Sequence, residues 1–431
     1  MFNSWLFIQP IFFFHKKERD IVMTNHNSKR LSRRKFIKIG GTAITAATFN
    51  GKNLFAVDTS PKKIRIGVVG GRFGAQFYWH EHPDCIVEAV SDLRDDRRIH
   101  LMKTYNCRKS YPSLEELVKD KNIDAVAIFT EAPNHVKHVI EALNHGKHVI
   151  CAVPASAGGG IEEAERLNEA VKQSGLTYMM AETSYYQQPT ISARKFYQEK
   201  KFGNLFYCES EYQHPGLEVL FFENSKRTWR YGYPPMLYPT HCTSHLISVS
   251  AERLTEVVCH GWGDNDKILQ DNAYNNPFWN ESAYFKTDRG NTFRVNIWWK
   301  GAFGGTERAQ WIGDQMSFYS ATPNGLGPVI YRMKDAQNDK DDAGFARMVP
   351  KREKYEQPQW WKTDMLPEAL RHNSGHHGSH TFLTNKFIDA LTHNRQPTVN
   401  ITEALAYTVP GIIAHESALN GGKLLKIPQL T

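Results

Sequence analysis

Between Lys63 and Glu182, short and nearly continuous apolar runs alternate with amphipathic segments. The runs are Ile64–Val69, Ile86–Val90, Ala125–Phe129, His148–Ala152 and Thr177–Ala181. Strands without polar alternation are buried on both faces, so this pattern predicts a parallel sheet with helices above and below it. One covering helix is written in the i, i+3, i+4, i+7 stripe Val136, Val139, Ile140, Leu143, stopped by Gly146; another runs from Ile161 to Ser174, stopped by Gly175. Past about Tyr185 the period drops to two. Leu205–Tyr212 and Thr292–Trp298 alternate and are rich in aromatics, which predicts an antiparallel sheet with one face open to a partner subunit. Asn324–Gln359, rich in Gly, Lys and Asp, reads as a long irregular excursion.

Composition adds little to this until the charges are placed. The 431 residues are 41% hydrophobic and 23% charged, which excludes a disordered tail protein and a disulfide miniprotein. The net charge of +8 suggests a nucleic-acid binder, but residues 1–56 carry ten Lys/Arg against two acids, and the remaining 43 basic and 43 acidic residues cancel. The basic excess is therefore an address and gives no support to nucleic-acid binding. Ser32-Arg33-Arg34-Lys35-Phe36-Ile37-Lys38, followed by the apolar run Ile39–Phe49, has the form of a twin-arginine signal and predicts export to a periplasm. Met1–Phe14 is too short to span a bilayer, Met23 is an alternative start, and no later segment approaches a membrane span. The six cysteines form no CxxC pair. Cys85, Cys151 and Cys208 fall inside predicted strands and read as small buried hydrophobes.

The first strand runs into Gly70-Gly71-Arg72-Phe73-Gly74-Ala75, with a turn to a helix expected next. In the GxGxxG/A register Gly70 is first and Ala75 third, while Arg72 stands at the second position, where the backbone normally approaches a pyrophosphate. An arginine there can still point outward and pair with phosphate. Asp92 closes the second strand, placed to bind ribose hydroxyls and repel a 2′-phosphate, so NAD is expected in preference to NADP; Arg94 and Arg97 keep NADP open. The fold class expected is α/β, an N-terminal Rossmann-type doubly wound sheet followed by an α+β domain with a large, mostly antiparallel open sheet. The division expected is 1–60 leader and linker, 61–183 NAD-binding domain, and 184–431 substrate and oligomerisation domain.

The run Thr130-Glu-Ala-Pro133-Asn134-His135-Val-Lys-His138, then Gly146-Lys-His-Val-Ile-Cys-Ala152-Val153-Pro154-Ala155, closely resembles the Gfo/Idh/MocA oxidoreductases. The likeness extends from about Lys62 to a closing helix at Thr408–Ala418 and Gly421-Gly422. It implies cofactor contacts from Gly70, Gly71, Arg72, Phe73, Asp92, Thr130, Pro133, Asn134, His138, Val153 and Pro154. One departure matters. Family dehydrogenases usually have Glu-Lys-Pro where this chain has Ala152-Val153-Pro154, and their Lys stands beside the reacting hydroxyl. Val153 can neither stabilise an alkoxide nor shuttle a proton, so another group has taken over or the chemistry is lost.

A branch of that family, the NAD-dependent glycosidases, also lacks the Lys, and three local features are similar to theirs: Glu182-Thr-Ser-Tyr185-Tyr186, Leu237-Tyr238-Pro239-Thr240-His241, and His377-Gly378 before an apolar helix. The resemblance implies His241 or Tyr238 at the C3 hydroxyl and Tyr186 as the base at C2, with Glu182, Tyr185, Arg230 and His377 at the substrate. Oxidation at C3 acidifies the C2 proton, the C1 substituent leaves, water adds, and hydride returns. The bland readings are interdomain packing for Tyr186, solvent-facing positions for Glu209 and Glu211, and core or interface places for Trp298, Trp299, Trp311, Trp360 and Trp361. His241 with His245, and His376, His377 and His380, are candidate metal ligands, but histidines without a nearby acid are thin support for zinc, and no metal is expected. A periplasm has no NAD pool, so an exported enzyme needs a tightly held cofactor that ends each turnover unchanged. The expected function is an exported NAD-dependent enzyme on a carbohydrate or glycoside, acting through transient C3 oxidation, as a homo-oligomer joined through the C-terminal sheet. The alternatives are a net sugar oxidoreductase and an inactive sugar-binding or assembly module.

Overall fold

The computed structural model describes residues 63–322 and 325–430; the twin-arginine run, its apolar segment and both candidate start methionines lie outside them. Six parallel strands form the first sheet: β1 (Ile64–Val69), β2 (Cys85–Ser91), β3 (Ser110–Tyr111), β4 (Ala125–Ile128), β5 (His148–Cys151) and β6 (Tyr178–Met180). Their order is β3-β2-β1-β4-β5-β6, so the winding order reverses between β1 and β4, the switch point at which such sheets open a crevice at the carboxyl ends of the strands. On one face the helix His135–Asn144 packs Val136, Val139 and Leu143 onto the sheet, and Gly160–Ser174 packs Ala164, Leu167 and Val171. Both are stopped by glycines in the left-handed region, Gly146 at φ +71° and Gly175 at φ +64°.

The other face is built differently from expectation. No α-helix follows the glycine loop; residues 73–76 and 79–81 form two 3-10 turns instead. The local residues explain this. Phe77, Tyr78 and Trp79 are contiguous rather than spaced by three and four, Tyr78 has φ +56°, and Pro83 closes the segment before β2. The missing cover comes from the far end of the chain. The helix Gly375–Thr392 lays Phe382, Leu383, Phe387 and Ile388 over Ile66, Val68, Ala125, Ala127, Ile150 and Met179, together with Phe77 and Trp79. Polar contacts fix it there: Thr384 Oγ1 donates to the Phe77 carbonyl, and His82 Nε2 meets Asn385 Oδ1 at 3.2 Å.

The second sheet begins with β7 (Leu205–Gln213). After a small hairpin, β8 (Phe222–Glu223) and β9 (Lys226–Arg227), it continues with β10 (Leu254–Trp262), β11 (Asn280–Thr287), β12 (Thr292–Trp298), β13 (Thr306–Gly313), β14 (Met316–Tyr319), β15 (Val329–Lys340), β16 (Ala346–Lys354) and β17 (Leu425–Lys426). The order β16-β15-β14-β13-β7-β12-β11-β10-β17 is antiparallel except at β7–β12. The stretch expected to be irregular, 324–359, is instead mostly the β15–β16 ribbon. Its outer half is exposed on both faces, so its sequence carries no apolar alternation to announce it.

The helices Thr240–Ser250 and Ile401–Leu419 cover one face of this sheet, and the second also reaches the first sheet, where Met180 N donates to the Val399 carbonyl just before it. On the opposite face of β7, Glu209 and Glu211 do not face solvent as expected. They are about 6% and 7% exposed because Arg308 Nε donates to Glu211 at 2.9 Å, Arg294 pairs with Glu209, and Tyr207 and Gln310 donate to Glu209 as well. All six cysteines are buried and unpaired. No described helix is long and apolar enough to cross a membrane.

Candidate active site

Glu182 leaves the end of β6 and caps the 3-10 turn Thr183–Tyr186, its Oε1 accepting from Ser184 N at 2.8 Å. His241 lies in the first turn of the helix Thr240–Ser250, and Glu307 on β13, and the three converge. His241 Nδ1 stands 3.1 Å from Glu182 Oε1, 3.0 Å from Ser184 Oγ and 3.6 Å from Glu307 Oε1. Ser184 Oγ and Gln187 Nε2 donate to Glu307. No hydrogen bond from a described residue reaches His241 Nε2.

A cation in the first turn of a helix opposes the helix dipole, so an imidazolium there needs carboxylates. Burial works against charge on Glu182, but the His241 imidazolium and hydrogen bonds from His241 and the Ser184 amide outweigh it and hold the carboxyl down at about 2. Burial also works against charge on His241; Glu182 and then Glu307 outweigh it and push the imidazole up to about 9. Desolvation lifts Glu307 above the ordinary carboxyl range, against the pull of His241. The cluster therefore stores a proton on His241 and holds a second carboxyl ready to share one.

Aromatic rings stand around it. Tyr212 and Tyr238 have ring centroids 4.7 Å and 5.4 Å from His241, and Trp299 meets Tyr212 edge-on. Arg230 stacks on Trp229 and faces Tyr238. Leu217, Phe221, Arg230, Tyr233, Tyr238 and Trp299 line a narrow recess of about 10 Å3, room for about one water. His376 and His377 turn through the left-handed region at φ +49° and +56°, a strain of about 1–3 kcal/mol each for non-glycine residues. His376 Nδ1 meets His380 Nε2 at 2.8 Å, His380 Nδ1 meets the Gln76 carbonyl at 2.9 Å, and the Phe73 ring packs on both imidazoles. The His377 carbonyl accepts from Gln188 while its side chain is exposed.

At the crevice, Gly70 has φ +102°, and a Cβ there would collide with the Phe129 carbonyl. Asp92 is held at the end of β2 by Gly71 N at 2.7 Å and Arg94 N at 2.9 Å. Arg72 is exposed and leaves the loop open. Thr130 Oγ1 meets His138 Nδ1 at 2.8 Å. His135, which the sequence did not single out, joins the loops after β4 and β5: its ring nitrogens meet the Pro154 carbonyl at 2.8 Å and the Thr130 carbonyl at 3.1 Å.

A family model described as an oxidoreductase family with an NAD-binding Rossmann fold matches residues 64–182. Over that stretch the chain carries the sequence pattern of the Gfo/Idh/MocA oxidoreductase family. Among its curated relatives, a glycosyl hydrolase family 109 protein from Solibacter usitatus is 22% identical over 444 residues, spanning 93% of this chain and 97% of the relative. A myo-inositol 2-dehydrogenase from Thermotoga maritima is 32% identical over 114 residues, 26% of this chain and 34% of the relative. A solved scyllo-inositol dehydrogenase from Lactobacillus casei, with bound NAD(H) and scyllo-inositol, superposes with a TM-score of 0.60 at 16% identity, covering 85% of this chain and 99% of that one. For myo-inositol 2-dehydrogenase from Lactobacillus plantarum the TM-score is 0.63 at 16% identity, covering 85% and 100%. At such identities the likeness to these structures is one of fold.

Two positions singled out through Gfo/Idh/MocA motifs behave differently from expectation. Val153 is about 6% exposed and belongs to the apolar core, so the family's lysine site holds a packed hydrophobe. Tyr186, expected as the base at C2, is a correction: it is about 3% exposed, its ring stacks on Phe382, and its hydroxyl donates to Thr398 Oγ1 at 3.2 Å. Burial pushes its phenol well above the ordinary range, which removes it as a base. Tyr185 is occupied by Arg194, whose guanidinium lies 4.0 Å over its ring. His245 is a core histidine, bonded to Ser210 Oγ at 2.8 Å and pushed down to about 3 by burial. Among the described residues no group of three or more His, Cys, Asp or Glu is arranged to hold a metal. A Tyr186→Phe variant should keep kcat within about threefold of the parent and lose about 1 kcal/mol of stability with its hydrogen bond, read by steady-state kinetics and urea unfolding.

Proposed function

We propose that this chain is an NAD-dependent enzyme that oxidises a ring hydroxyl of a carbohydrate or glycoside, with His241 as the proton-handling residue. The observation that carries this is the buried Glu182–His241–Glu307 cluster, set against an aromatic recess after the last strand of a dinucleotide-type sheet. The residues at the crevice suit the cofactor: Gly70 and Gly71 let the backbone come close, Asp92 offers acceptors to the ribose, and Arg72 is free to meet the pyrophosphate. With no α-helix after the loop, the anion has backbone amides and Arg72 to meet it, without a helix N-terminus. Nicotinamide bound there supplies a hydride acceptor and donor. His241 Nε2 takes the hydroxyl proton, Glu182 fixes the ring and balances the imidazolium, and Glu307 buffers the proton through Ser184. Arg230, Tyr238 and Trp299 orient the sugar. Val153 leaves this work to the His241 cluster.

A redox-neutral reading, in which hydride returns to the same sugar and a C1 substituent is lost, is favoured by the near-complete span of the glycosyl hydrolase family 109 relative. With Tyr186 in the core, Glu307 is the group left to remove the C2 proton. Turnover of aryl glycosides in heavy water tests this. Deuterium at C2 of the released sugar with no accumulating NADH supports glycoside cleavage; NADH with no label at C2 supports net oxidation. We also propose export by the twin-arginine route with the cofactor tightly held, and self-association through the second sheet.

A further inference from the structure

A chain carboxylate reaches the cofactor crevice from far along the sequence. Arg94 and Arg97 follow Asp92, and Arg97 packs so closely on the glycine loop that a Cβ on Gly71 would stand 2.6 Å from the Arg97 Cβ. Two guanidiniums beside a ribose-binding carboxylate would make an anion fork suited to a 2′-phosphate. That fork is filled. Glu223 Oε1 accepts from Arg94 Nη1 at 2.9 Å and from Arg97, and Asp96 takes the remaining arm of Arg94 at 2.7 Å. Glu223 sits on the β8–β9 hairpin, whose turn passes through the left-handed region at Asn224 and Ser225. The same segment leads to Arg230 and Tyr238 at the recess. Glu131, at the end of β4, lies within electrostatic reach of Glu223 and Arg97 and adds negative charge.

We propose that Glu223 is a cofactor-selecting residue: its carboxylate occupies the Arg94–Arg97 fork, so the 2′-phosphate of NADP must displace a competitor built into the chain, whereas NAD need not. This rests on the reading that the crevice holds a dinucleotide with its ribose at Asp92. Arg94 and Glu223 are both about 40% exposed at their side chains, so their pairing adds little to stability and a variant should fold. The selection arises because a phosphate of nearly two negative charges meets Glu223, Asp96 and Asp92 in place of two free cations.

The test unfolds purified protein in urea to release any nucleotide it carries, refolds it in an equimolar excess of NAD+ and NADP+, removes free nucleotide by gel filtration, denatures the protein and quantifies what is released. Wild type should retain NAD almost alone. Glu223→Ala should raise the NADP-to-NAD ratio at least about tenfold and Glu223→Gln by a smaller factor, with the gain shrinking as salt rises. Arg97→Ala in the Glu223→Ala background should abolish the gain. An unchanged ratio in both single variants, or a gain that survives loss of Arg97, overturns the selecting role while leaving the dinucleotide site intact. Release of neither nucleotide from any form overturns the dinucleotide reading, and the selecting role with it.

Discussion

A His241→Asn enzyme is expected to fold and to lose about 10²–10⁴-fold in kcat, the range over which a positioned acid or base contributes. Asparagine keeps a donor for Glu182 but has no nitrogen that titrates. The companion experiment is a pH profile. With His241 pushed up to about 9, the imidazole is mostly protonated at neutral pH, and kcat/KM should climb as pH rises toward 9. Glu182→Gln removes the carboxylate that does most to stabilise the imidazolium, so the imidazole titrates lower and the rising limb should move to lower pH by at least about one unit, with a reduced plateau. A merely structural role for Glu182 would lower the plateau without moving the limb. Stability follows the same linkage. The raised pKa of His241 stabilises the fold below its unfolded value near 6.5 and loses that contribution as pH rises through about 9, so the wild type should melt lower at pH 10 than at pH 7. The His241→Asn variant should show a shallower decline.

The second large effect is on stability. Phe382→Ala should cost about 3–5 kcal/mol, because Phe382 is fully buried between the first sheet and the Tyr186 ring and the site has little room to collapse. The loss is read as a shift of the urea midpoint. The half-exposed Phe206 on β7 is the control, and its replacement by alanine should shift stability by less than about 0.5 kcal/mol. Nucleotide retention should fall with Phe382→Ala as well, because His380 and Thr384 of the same helix hold the Gln76 and Phe77 carbonyls just after the glycine loop.

Much of the architecture could be read along the chain because each strand of the first sheet is a continuous apolar run. The expected Ile64–Val69 and Thr292–Trp298 coincide with β1 and β12, and the other expected strands differ from those observed by a residue or two at their ends. What failed depended on distant partners. A glycine-rich turn suggests a helix next, but nothing local shows that the covering helix is supplied some 300 residues later. Tyr186 and Tyr185 are adjacent and look equivalent in sequence; packing against Phe382 and Arg194 decides what each does. Glu307 went unnoticed although its signal was present. In Thr306-Glu-Arg-Ala-Gln-Trp-Ile-Gly313 the alternation puts Glu307 on the same face as the buried Ala309 and Trp311, and a carboxylate on an apolar face asks for a buried cation. Glu209 and Glu211 illustrate the converse, since the arginines that bury them lie on neighbouring strands and leave no mark in their own segment.

Because the helix Gly375–Thr392 roofs the nucleotide-binding sheet, that half of the protein is not a cassette that can be cut out or grafted elsewhere. A fragment ending near residue 183 would leave Ile66, Val68, Ala127 and Ile150 open to water and prone to aggregate. During synthesis the ribosome must deliver almost the whole chain before the first sheet can close, so the two halves mature together rather than in turn.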